Sequence, residues 1–213
     1  MRLVRERILP TFLLVVLALV LPVATLVLLR ETPAHLTGTL HFYAVGVASL
    51  AAAAAALVMT AIGVTRGDGR TVLIGTAFTV MAGLLSIHGL ATPGIVIGAN
   101  GVIDFTGALT LPVGGAVLAL TAVPALRRPQ GIRALLVFDV VAFVSIVALG
   151  IVGMAFPSLV PSVPAAGSRE AIVALAFGFA FYALLILRTL KTYLLTRRPS
   201  DLAVVVGVAW MTA

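Results

Sequence analysis

The chain has no cysteine. Disulfides, thiolate metal sites and thiol redox chemistry are therefore excluded. Charge is also scarce: Asp, Glu, Lys and Arg make up 10% of the 213 residues, against 62% hydrophobic ones. That is too little polar surface to wrap a soluble globule, so composition indicates a polytopic membrane protein. Lysine is nearly missing, Lys191 standing alone among arginines, while Ala, Val, Leu and Gly dominate. This usage is expected of a GC-rich bacterial genome and an inner (cytoplasmic) membrane location. The net charge of +7 does not indicate nucleic acid, because the basic residues sit in short loops beside apolar runs, where they set orientation. No nucleophile–base pair, phosphate loop, zincin motif or pair of catalytic carboxylates is recognisable, so the chain shows no catalytic site of its own.

What is present is a succession of apolar runs. A membrane span needs about 20 residues. The runs at 8–29, 40–64, 71–90, 105–126, 134–156 and 170–187 meet that length, and 202–213 begins another. The expected fold is all-α, a single polytopic transmembrane helix bundle of six full spans plus the start of a seventh. The first run follows Arg2, Arg5 and Arg7 and lacks a convincing small-residue cleavage site, so it reads as an uncleaved helix. An unbroken alanine run from Ala51 to Ala56 reads as a packing face, because small residues let helices approach closely in lipid. The segment 91–104 is apolar but too short to cross, and Gly94, Gly98 and Gly101 make it a poor helix; a loop or re-entrant lid is expected there.

Of the 14 basic residues only Arg30 and Arg169 fall on one side of this topology. The positive-inside rule makes the other side the cytoplasm and places the N-terminus there. Arg188, Lys191, Arg197 and Arg198 belong to that cytoplasmic set, where they determine topology and can also grip anionic lipid. Because the last run stops after about half a membrane thickness, the sequence is expected to be cut within helix seven of a longer parent.

The chain has three histidines, His35, His41 and His88. The topology brings all of them to the outward face, with Glu31 and Asp104. His41 opens the second span and His88 closes the third, and a short connection makes adjacent antiparallel neighbours of the two spans. An imidazole pair across that seam, with Asp104, Glu31 or His35 as a third ligand, would suit Zn, Cu or Fe; two facing imidazoles are also what a haem needs. Gly89, Thr92, Pro93 and Gly94 would let the following loop fold over the pair. A pH-responsive or ligand-contacting pair and simple interfacial anchoring remain open beside metal binding. Asp139 is the one carboxylate inside a span, and it reads either as a proton or ion contact or as a shallow group paired with a loop arginine.

His41-Phe42 at the start of one helix and His88-Gly89-Leu90-Ala91-Thr92-Pro93-Gly94 at the end of the next, within a basic-looped multi-helix block, resemble the N-terminal membrane sensor regions of bacterial signalling proteins. In that class, histidine-bearing helices precede a cytoplasmic nucleotide cyclase, diguanylate cyclase or HD-type phosphodiesterase. The resemblance implies a sensory input domain, with the lipid bilayer, an output domain and a homodimer as partners. The output module itself is not in this sequence. Two readings from other classes stand beside it: a small transporter or channel using Asp139, and a membrane cytochrome with His41 and His88 as axial ligands.

Overall fold

The computed structural model describes residues 37–165 and 167–197, together with positions 20, 24, 27, 202, 204 and 205. Among the described residues there are five long helices and no strand: α1 (Gly38–Arg66), α2 (Gly69–Leu90), α3 (Val102–Leu120), α4 (Ile132–Ala155) and α5 (Arg169–Thr196). All five are long and apolar enough to cross a membrane. They correspond to the second to sixth expected spans. The runs at 8–29 and 202–213 lie outside the described residues apart from isolated positions, as do Glu31 and His35.

The α1–α2 hairpin is written into local chemistry. Thr37 caps α1, its hydroxyl accepting from the Leu40 N–H at 3.3 Å. Gly67 ends the helix in the left-handed region at φ 65°, where a side chain would be strained. The Gly67 and Asp68 amides then turn back onto the carbonyls of Val64 (3.2 Å) and Gly63 (2.9 Å). Asp68 starts α2 at once: its carboxylate accepts from the Arg70 N–H at 3.0 Å and from the Thr71 hydroxyl at 2.5 Å. A single turn thus satisfies the end of one helix and the start of the next.

The larger compact unit, Leu36–Phe181, is organised around α2. Three helices pack on three sides of it, each through a glycine. Toward α1, a Cβ on Gly75 would strike the Thr60 hydroxyl, and one on Gly63 would meet the Val72 nitrogen at 2.6 Å. Toward α3, a Cβ on Gly114 would lie 2.6 Å from Met81 Cγ. Toward α4, Gly83 faces Ile146 at 3.2 Å, and Gly150 faces Ile87. Close glycine contacts of this kind provide the van der Waals packing on which helix association in lipid depends. The buried set Val72, Leu73 and Leu135 closes the arginine-rich end of the unit, and Ile87, Ala91 and Val102 close the histidine-bearing end. Tyr182 and the end of α5 belong to a second unit. There α5 runs on past the expected limit of 187 to Thr196, and Arg197, at φ 55°, lies over the Tyr193 ring at 5.9 Å.

Both boundaries of α3 differ from the sequence expectation for physical reasons. Helix α3 begins at Val102, not 105, because the Asn100 side chain supports its first turn, Oδ1 accepting from the Val102 N–H at 3.0 Å. It ends at Leu120, not 126, because Pro124 disfavours helix at the preceding residue; Val123 is extended and Pro124–Arg127 is a separate 3₁₀ turn. Gly69 packs onto that turn, so the shortened helix leaves room for the start of α2.

Candidate functional site

The two histidines meet. His41, in the first turn of α1, and His88, in the last turn of α2, approach with Nε2···Nε2 at 3.0 Å and ring centroids 5.1 Å apart in an edge-on arrangement. The second nitrogen of His88, Nδ1, lies 2.8 Å from the main-chain oxygen of Ile103, in the first turn of α3. A carbonyl oxygen can only accept, so His88 Nδ1 carries a hydrogen. In the neutral ring His88 Nε2 is then a lone pair, and His41 Nε2–H must donate to it. A backbone oxygen on a third helix thereby sets the tautomers of both rings.

The site has room because of two glycines. A Cβ on Gly107 would lie 3.1 Å from His88 Cε1 and Nδ1, so α3 can lie flat against the ring only with glycine there. A Cβ on Gly89 would touch Val45 at 3.4 Å, which keeps α1 close below the pair. Deeper along the same seam Ser49 donates to the Ala82 carbonyl at 3.1 Å and shares a hydrogen bond with Ser86 at 2.6 Å. The α1–α2 interface is therefore pinned by polar contacts at its histidine end.

No protein-family model, curated protein or solved structure matches this chain. What can be said of the site therefore rests on its own geometry.

That geometry does not suit a metal held between the rings. Metal–imidazole bonds are about 2.0–2.1 Å, which puts two nitrogens roughly 4 Å apart when opposite, as for haem axial ligands, and about 3.3 Å apart at a tetrahedral ion. At 3.0 Å the rings bond each other. Among the described residues no three His, Asp or Glu side chains converge where a metal could sit. Asp104, in the first turn of α3, is an electrostatic neighbour of His88 but makes no hydrogen bond to either ring. Glu31 and His35 lie outside the described residues.

The loop residues fall beside the pair. Thr92 is buried and its hydroxyl reaches the His88 carbonyl at 3.5 Å, while Pro93 and Gly94 are exposed, Gly94 at φ 83°. Sequence reasoning missed Ile103, whose contribution is a main-chain oxygen and carries no residue signature. It also missed Asn100, and there a signal existed: it is the only polar side chain between Thr92 and Asp104.

Asp139 is remote from this cluster. It lies on α4 one turn beyond Leu135, on the stripe that continues through Ile146 and Gly150 against α2. Its Oδ1 is buried and has no hydrogen-bond partner, a condition shared with Thr60 Oγ1 on α1.

Proposed function

We propose that this chain is the membrane input module of a bacterial signalling protein, and that the His41–His88 pair is its proton-responsive element. The observation that carries this reading is the 3.0 Å Nε2···Nε2 contact together with the commitment of His88 Nδ1 to Ile103. One added proton leaves the contact between the rings intact, now with a cationic donor. A second has only the lone pair inside the contact left to occupy. Two N–H groups and two positive charges then face each other across the former hydrogen bond, and the contact cannot survive. The seam is closed at higher pH and opens as pH falls, with the Asp104 carboxylate the neighbouring charge that offsets part of the repulsion. Separation of α1 from α2 at this end is the displacement that an attached output domain would read.

In this reading the chain sits in the bacterial inner membrane with its N-terminus and its arginine-rich loops in the cytoplasm and the histidine end outward. It contributes six spans and the start of a seventh. The test places spin labels at Leu40→Cys and Leu90→Cys, both exposed near the pair, in reconstituted protein. The interlabel distance should lengthen on acidification from about pH 8 to about pH 4, below the usual imidazole range because the second proton enters beside an existing charge. A distance that stays constant over that range rejects proton sensing by this pair.

Asp139 supports a second reading, a small transporter, because a buried carboxylate oxygen without a donor inside a span is costly unless an ion or proton visits it. Asp139→Asn should then abolish solute or proton flux in proteoliposomes. Absence of any flux in the unmodified protein across a panel of ions removes this reading.

A further inference from the structure

The connection between α2 and α3, residues 91–101, does no work in the proton chemistry beyond holding its two ends. It carries no charge: from Gly89 to Ile103 there is no Asp, Glu, Lys or Arg. Pro93, Gly94, Val96, Gly98 and Ala99 are exposed, Val96 by 62%. The apolar surface continues onto Leu90, Leu40 and Tyr43, exposed at the same end of the helices.

An apolar loop can enter lipid only if its main-chain polar groups are bonded within the protein. Here that holds for the amides of residues 91–95; those of 96–101 have no partner among the described residues, which the hydrated headgroup region tolerates and the hydrocarbon core does not. The Thr92, Gly94 and Ile95 amides donate to Gly89, Ile97 and Thr92 carbonyls at 3.0, 3.0 and 3.2 Å. Asn100 adds three more bonds: its Nδ2 donates to the carbonyls of Ala91 and Gly98, each at 2.8 Å, and its Oδ1 takes the Val102 N–H that starts α3. Asn100 is thus turned inward onto backbone and Ile97 packs against the buried Ile87, Ala91 and Val102, while Val96 points out. The Pro93 oxygen lies 3.4 Å from where a Cβ of Gly38 would be, which seats the loop against the start of α1. An apolar segment of this length, too short to span, is of the kind that lies in the membrane interface.

We propose that loop 91–101 is a lipid-binding element whose exposed aliphatic tip, Val96 flanked by the partly exposed Ile95, inserts into the interfacial region of the leaflet at the histidine end of the bundle. The occupant is the lipid surface and not a protein partner, because the patch is uncharged and continuous with the lipid-facing sides of α1 and α2. The proposal stands independently of proton sensing. Its position gives it a route to the histidines all the same, since Thr92 and Ile103, at its two ends, both touch His88.

The absence of cysteine makes the test direct. A polarity-sensitive fluorophore is attached at Val96→Cys and, as a reference on the other loop at the same end, at Ser162→Cys, which is also exposed. Each protein is reconstituted in phosphatidylcholine–phosphatidylglycerol vesicles with or without nitroxide-labelled lipid. The label at position 96 should emit to the blue of the one at 162, be quenched several-fold more strongly by lipid nitroxide, and resist aqueous iodide. Equal iodide quenching at both sites, with no lipid quenching at 96, overturns the proposal and leaves the patch for a protein partner. Val96→Asp in a protein labelled at Ile95→Cys should restore iodide access. If it leaves the label lipid-quenched, insertion does not depend on the aliphatic tip, and the proposal fails on that ground.

Discussion

Replacing His88 with alanine should abolish the pH-dependent opening of the α1–α2 seam and lower stability by about 2 kcal/mol. The stability cost follows from the two groups it strands: the Ile103 carbonyl and the His41 Nε2–H lose partners at 2.8 and 3.0 Å in a part-buried site, and each unmet polar group costs about 1–3 kcal/mol when fully buried. Glutamine at the same position separates structure from titration. Its amide can donate to Ile103 but cannot take up a proton, so His88→Gln should recover part of the stability and none of the pH response. Thermal unfolding in detergent at fixed pH, paired with the Leu40–Leu90 distance at two pH values, reads both quantities. If His88→Gln opens with acid as the unmodified protein does, the response originates elsewhere. His41→Ala should cost less, because His41 has one such contact where His88 has two, yet it should remove the response just as completely.

The largest loss of stability is expected at the other end of the same interface. In Gly75→Leu the new Cβ meets not only the Thr60 hydroxyl but also the Thr60 nitrogen at 2.9 Å and the Ala56 carbonyl at 3.1 Å. These are backbone atoms of α1, so no rotamer change relieves the clash and the helices must move apart. Overpacking of a tight interface costs about 1–3 kcal/mol even where side chains can yield, and here they cannot. Thr60→Gly should therefore fail to rescue Gly75→Leu, because the main-chain contacts remain. Thr60→Ala alone should be neutral or mildly stabilising, since it removes a buried hydroxyl that has no partner. Rescue of Gly75→Leu by Thr60→Gly would show that the interface is held by side-chain contact and not by backbone approach.

How far the sequence foretold this arrangement depends on the kind of signal. The α1–α2 hairpin was legible because Gly67, Asp68 and Gly69 carry their turn and cap chemistry in their identities, and because arginines flank the turn. That, together with span lengths, was enough to bring His41 and His88 to one depth on adjacent antiparallel helices. The end of α3 was legible too, in Pro124, but the apolar run across it obscured the break. The tautomer-setting oxygen of Ile103 was beyond reach, since any residue has a carbonyl and only the fold says where it points. The expected third ligand did not join the pair among the described residues, because sharing a first helical turn with Ile103 does not bring Asp104 into bonding contact with either imidazole. Residue types left metal binding open beside a proton-responsive pair, whereas the direct contact between the two rings is a property of packing alone.

One further consequence attaches to the central helix. Of the five long helices only α3 is interrupted by a proline, Pro112. Helix α2 is continuous from Asp68 to His88, about 30 Å at the usual rise, and it is gripped on three sides by glycine-backed contacts that leave little freedom to bend. If the proposed function holds, a displacement at its histidine end is carried by a stiff helix to the Asp68 turn, and Arg66 and Arg70 on either side of that turn are the first charged groups in its path.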